Sequence, residues 1–196
     1  MKKKNRTWII IGVIVVLVIL WGVQKYNGFV ALEEGVTGQW ANVENVYQRR
    51  GDLIPNLVNT VKGYADFEQE TLTQVIEARA KASSVVIDPT NITPESLAAF
   101  QQAQDGLGSA LSRLLVTVER YPDLKANQSF LDLQAQLEST ENRIAVERRK
   151  FNEITRGFNT SIRKFPNSVI AGITGFDQKA YFEAVAGSET APVVEF

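Results

Sequence analysis

At 196 residues, with 44% apolar and 22% charged side chains, the chain suits one globular domain with a modest core and an appended segment. It has no cysteine and no histidine, so a disulfide framework, a thiolate nucleophile, an ordinary zinc site and a His-based triad or general base are excluded together. The formal charge of -1 hides an asymmetry: residues 1–25 carry five of the 21 basic residues and no acid, leaving a body of 16 basic and 22 acidic residues that is not built for nucleic acid.

The first predicted element is a membrane span. Residues 7–24 hold no charge over 18 positions. As a helix they cover roughly 27 Å, close to the hydrocarbon thickness of a bilayer. Trp8 and Trp21 sit near the two ends, where interfacial aromatics belong. A cleavable signal peptide is the rival reading, but the apolar run is too long and no small-x-small cleavage site follows it. The lack of cysteine excludes a lipoprotein anchor. Lys2, Lys3, Lys4 and Arg6 before the span, against Lys25 after it, predict a cytoplasmic N-terminus and a body outside the cytoplasm.

A first stripe follows through Val36, Trp40, Val43, Tyr47, Arg50, Ile54, Leu57, Val61 and Tyr64, at an average of 3.5 residues per step. Its phase runs on, with a slip, through Glu68, Leu72, Val75 and Arg79, which predicts a first helix turning near residue 80. Inside it, RRGDLIPNLVNTVKGY (residues 49–64) sets Arg50, Gly51, Asp52 and Pro55 where an uninterrupted helix would have no use for them. Pro55 removes one hydrogen bond and crowds the carbonyl four residues back, that of Gly51, the residue that yields most easily. Because the phase survives from Tyr47 to Leu57, the reading is a kink, with a helix ended at Gly51 and restarted with Asp52 as N-cap as the alternative.

The second stripe is Leu97, Phe100, Gln104, Leu107, Leu111, Leu114, Val118 and Tyr121, opened by Thr93 as N-cap and Pro94. The third runs from Phe130 through Leu133, Leu137, Glu141, Ile144, Arg148, Phe151, Thr155, Phe158 and Ile162 to Phe165, with Ser129 as its cap. Loops at residues 83–93 and 122–128 separate them. A break at Pro166 precedes a short fourth helix at about residues 177–186. The fold class is therefore all-α: a transmembrane helix followed by an antiparallel, up-and-down four-helix bundle with long helices. By residue number, 1–6 are a basic cytoplasmic terminus, 7–24 the anchor, 25–187 the bundle and 188–196 a loose tail.

Arg50, Glu68, Glu141 and Arg148 fall in phase with apolar stripes, where an unpaired charge is costly, so each should be paired or lie at the bundle edge. Counting along an up-and-down layout pairs Glu68 with Arg148 and brings Arg50 close to the loop holding Asp123. A heptad repeat places Arg149, Arg156 and Arg163 on one flank, two positions before Phe151, Phe158 and Phe165 on the core stripe. The plain reading is a solvated basic edge; the sharper one is a rail for an acidic partner or phospholipid head groups.

Other patterns carry little. Arg50-Gly51-Asp52 spells the integrin tripeptide but sits on a helix, and Asn91, Asn127 and Asn159 head glycosylation acceptor triplets that recur by chance. There is no phosphate loop, GxGxxG, GxSxG or HExxH, and the adjacent carboxylates Glu33 with Glu34 and Glu138 with Glu141 are ordinary helix-surface pairs. No catalytic residue, metal or cofactor is expected.

The anchor, YNGFVALEEGV, QRRGDLIPNLVNTVKGYADFE, ERYPDLKANQSFLDLQAQLESTENRIAVERRKFN, and the FP and GF that follow, taken in order, cover nearly the whole chain. On these segments the chain resembles the bacterial LemA family. The resemblance implies a membrane-anchored four-helix bundle in the cell (inner) membrane, an association with membrane organisation and envelope stress, and no catalytic residues to carry over. The expectation is a non-enzymatic interaction or scaffolding module, contacting the bilayer and an unidentified protein or a second copy of itself. A regulator of a membrane protease is the alternative, and a carboxylate-based enzyme or small-molecule binder is the third. If the first helix continues from the anchor, Val36, Trp40, Val43 and Tyr47 need cover from the C-terminal segment or a partner.

Overall fold

The structure, a computed structural model, describes residues 2–63 and 68–183, and the side chains from residue 7 onward. Six helices follow in order: α1 (Lys2–Lys62), α2 (Gln69–Ser84), α3 (Pro94–Val118), α4 (Pro122–Lys125), α5 (Gln128–Arg163) and α6 (Asn167–Thr174). No strand occurs among the described residues.

The 61 residues of α1 form one helix, roughly 90 Å long. Its first part is exposed and apolar; residues 7–24 are long and apolar enough to cross a membrane, and none of that window is buried inside the protein. From Phe29 onward one face is buried. The helix passes through Pro55 without ending, which excludes a restart at Asp52. It stops at Gly63, so the expected turn near residue 80 is corrected: the slip in phase at Glu68 falls just before the start of α2, which is a separate helix. Tyr64 lies outside the described residues.

α1 packs chiefly along α5, and α2 along α3. The partners across α1 and α5 are Arg50 with Glu141, Trp40 with Phe151, and Gly35 with Ile154, so residue numbers rise along one helix as they fall along the other. Thr93 caps α3, as its sequence predicts, and the structure adds a reciprocal bond with Ser96. The cap of α5 is Asn127, whose side chain accepts from the Phe130 amide at 3.0 Å; Ser129 is already helical.

Two further expectations change at the C-terminal end. A helix forms over residues 167–174, packed on α1 and α5 and ended by Gly175 in the left-handed conformation at φ 78°, and residues 177–183 are not helical. The rest of the predicted fourth helix and the tail at 188–196 lie outside the described residues. Phe165 falls beyond the end of α5 and is exposed, because Pro166 stops the heptad before it can use that position.

The interior divides into two apolar clusters. The one nearer the anchor gathers Phe29, Val36, Trp40, Val43 and Tyr47 with Phe100, Ile144, Phe151, Phe158 and Phe182. The farther one gathers Ile54, Leu57 and Val61 with Leu72, Val75, Leu107, Leu114 and Leu137. The stripe from Val36 to Tyr47 is thus covered from within the chain, with the C-terminal segment contributing Phe182.

Candidate functional site

Between the two clusters lies a polar layer, set by one heptad step in each helix. α1 passes from Tyr47 to Ile54 through Arg50, α3 from Phe100 to Leu107 through Gln104, and α5 from Ile144 back to Leu137 through Glu141. Arg50 is 4% exposed, and its guanidinium donates to Glu141 Oε1 at 2.6 Å, to Gln104 Oε1 at 2.7 Å and to the Gln104 carbonyl at 3.0 Å. Gln104 Nε2 donates in turn to the Ala82 carbonyl of α2 at 3.3 Å. Glu141 is 48% exposed, so the pair keeps one foot in water.

The same level answers for Pro55. A residue at 55 with an N–H would bond the Gly51 carbonyl; proline cannot, and Arg79 Nε of α2 donates to that carbonyl at 2.7 Å instead. Arg50, Gly51 and Pro55 therefore serve one purpose: they let α1 reach across to α2, α3 and α5 in a fixed register. Asp52 is exposed beside an open groove of about 370 Å³ that Tyr47, Arg79 and Gln104 also line. With Arg50 committed to the interior, the tripeptide is not presented to a receptor.

The predicted pairing of Glu68 with Arg148 does not form. Glu68 pairs with Arg120 at 2.8 Å, while Arg148 donates to the Glu183 carbonyl at 2.9 Å and lies 4.7 Å over the Phe182 ring. Arg50 likewise sits by Gln104 and not by the Asp123 loop. Both errors come from placing the first turn near residue 80 when the chain leaves α1 at Gly63, which shifts every level counted after it. Arg149, Arg156 and Arg163 are exposed along α5, as the heptad predicts.

The second constellation straps the C-terminal segment onto α5. Asn159 donates to the Lys179 carbonyl at 2.8 Å and accepts its amide at 3.0 Å; Asn152 does the same for Phe182, both at 2.9 Å. Seven helical residues rise roughly 10.5 Å and three extended residues span roughly 10 Å, so this spacing fits a strand-like segment. Each asparagine directly follows a phenylalanine of the heptad repeat, Phe151 or Phe158; the sequence marks the arginines and phenylalanines of that repeat, and Asn159 only as the head of a glycosylation triplet. Lys179 is buried, pairs with Glu33 at 2.6 Å, bonds the Thr90 carbonyl and lies 5.8 Å from the Phe158 ring centroid. Phe182 stacks on Trp40 at 6.0 Å between centroids.

Electrostatics follow from these contacts. Burial pushes the Tyr47 phenol above its ordinary range, against the opposing pull of Arg148 and Arg50. Hydrogen bonds from Lys150 and Gln39 hold Glu147 below the usual carboxylate range. The buried polar side chains are amides, hydroxyls, Arg50 and Lys179, with no carboxylate among the described residues. Asn159 is buried and hydrogen-bonded, which removes it as a glycan acceptor.

Residues 39–196 match the family model described as the LemA family. The chain is 28% identical over 187 residues to magnetosome protein MamQ of Magnetospirillum gryphiswaldense and to magnetosome protein MamQ 1 of Paramagnetospirillum magneticum, covering 87% of this chain and 68% of each relative. It is also 28% identical over 142 residues to protein LemA of Metamycoplasma hominis, covering 72% of this chain and 61% of that relative. The chain, whose helical body is built around Arg50, Gly51 and Pro55, belongs to the LemA family.

Proposed function

We propose that the chain is a non-enzymatic, single-pass membrane protein of the bacterial cell membrane. Its N-terminus lies in the cytoplasm, and its body outside is an interaction module formed as an antiparallel, up-and-down bundle of α1, α2, α3 and α5. The observation that carries this reading is the continuity of α1. One helix runs from the apolar span into the core with no linker, so a force or displacement at the body reaches the membrane through a stiff rod. The layer around Arg50 fixes helix register, a role buried polar groups serve well, and it offers no acid–base pair to a substrate. The basic row of Arg149, Arg156 and Arg163 is the surface offered to an acidic partner.

The test is photocrosslinking in cells from position 156 of the full-length protein. Discrete adducts with another protein or with a second copy support an interaction module. An adduct confined to a membrane protease moves the reading to a protease accessory factor. Position 156 with no adduct at any irradiation overturns the basic row as the interface. Trp40 is unsuitable for this purpose because it is buried.

A further inference from the structure

α6 is apolar on both sides. Ala171 is buried and Ile170 half-buried against the body, as a helix packed on α1 and α5 requires. On the opposite side Val169 and Ile173, one turn apart, are 55% and 80% exposed, and Phe165 just before the helix is 85% exposed. A surface helix in water carries polar residues there.

The position of this patch identifies what covers it. Carrying the Gly35–Ile154 contact along the two helices brings Arg163 level with about residue 26 of α1. Phe176, which follows α6, packs its ring on Tyr26 at 5.6 Å and on Phe29 at 5.5 Å. α6 is therefore held within a turn or two of Gln24, the end of the apolar span. Residues 163–176 carry two cations, Arg163 and Lys164, and no acid, and Lys25 lies at the same level.

We propose that α6 is a second, interfacial contact with the membrane. Phe165, Val169 and Ile173 enter the boundary between head groups and acyl chains of the leaflet from which α1 emerges, and Arg163 and Lys164 meet lipid phosphates above them. With two contacts the body cannot swivel about α1, so the basic row on α5 keeps a constant attitude to the bilayer. The proposal rests on α1 crossing the membrane.

The chain has no cysteine, so single labels are clean. An environment-sensitive NBD label is attached to the full-length variants Ile173→Cys, Leu17→Cys and Val116→Cys, the last an exposed site near the far end of α3. Each is reconstituted in vesicles of phosphatidylethanolamine and phosphatidylglycerol containing doxyl-labelled lipid. The expected result is a blue-shifted emission and strong quenching at Leu17 and Ile173, the latter several-fold above Val116. Quenching at Leu17 alone overturns the α6 contact and leaves the anchor standing. Quenching at neither site overturns the anchor and the contact together. Disulfide-linked dimers of the unlabelled Ile173→Cys variant, with no lipid quenching of its labelled form, assign the patch to a second copy and also overturn the proposal.

Discussion

Arg50 concentrates the physical logic of the body in one side chain. Its guanidinium is buried while its carboxylate partner Glu141 is half hydrated, so the two halves of the pair are not equivalent. Glu141→Leu strands a buried charge on neutral acceptors and should cost about 3 kcal/mol. Arg50→Met leaves a carboxylate that water can still solvate and an orphaned Gln104 Oε1, at about 1–2 kcal/mol. Urea unfolding of the two variants and of the double variant should show this asymmetry, with the double variant recovering part of the Glu141→Leu loss; equal single losses would contradict it. Glu147 gives a pH signature. Its folded-state pKa is depressed, so the carboxylate contributes stability above its unfolded pKa and loses that contribution as pH falls through the folded value. Glu147→Gln should flatten the decline in thermal stability on acidification, compared with the unaltered chain.

At the scale of elements, the break in hydrogen bonding at Pro55 and the cross-helix bond from Arg79 form a single device. Arg79→Ala removes the donor to the Gly51 carbonyl and should cost about 1–2 kcal/mol. Pro55→Ala returns an N–H to that carbonyl, so the same Arg79→Ala change should cost clearly less in the Pro55→Ala background. Thermal unfolding of the four members of this cycle measures the coupling, and additive losses would contradict the device. The helices and the layer were legible because apolar periodicity and in-phase charges are local signals: Arg50 and Glu141 stood out on their own stripes. Their partners were not legible. Pairing depends on where each helix ends, and Gly63 was outvoted by apolar residues that kept phase beyond it, which misplaced Glu68 and Arg148. The strap was hidden for a different reason. Asn152 and Asn159 act through side-chain bonds to a distant backbone, and no period in the sequence announces residues 179 and 182 as their partners.

For the whole molecule, the two apolar clusters give the body a near half tied to the anchor and a far half held beyond the polar layer. The near half holds most of the aromatic side chains, with Trp40 against Phe100 at 5.3 Å and Phe151 at 5.6 Å, and it receives the C-terminal strap. On the proposed topology this body is joined to its span by one unbroken helix and lies outside the cytoplasm. The most direct test of that topology is labelling of the full-length Val116→Cys variant in intact cells with a membrane-impermeant maleimide, beside a Cys placed at Lys3 in the basic N-terminus. Position 116 is expected to label without permeabilisation and position 3 only after it; the reverse pattern excludes a body outside the cytoplasm.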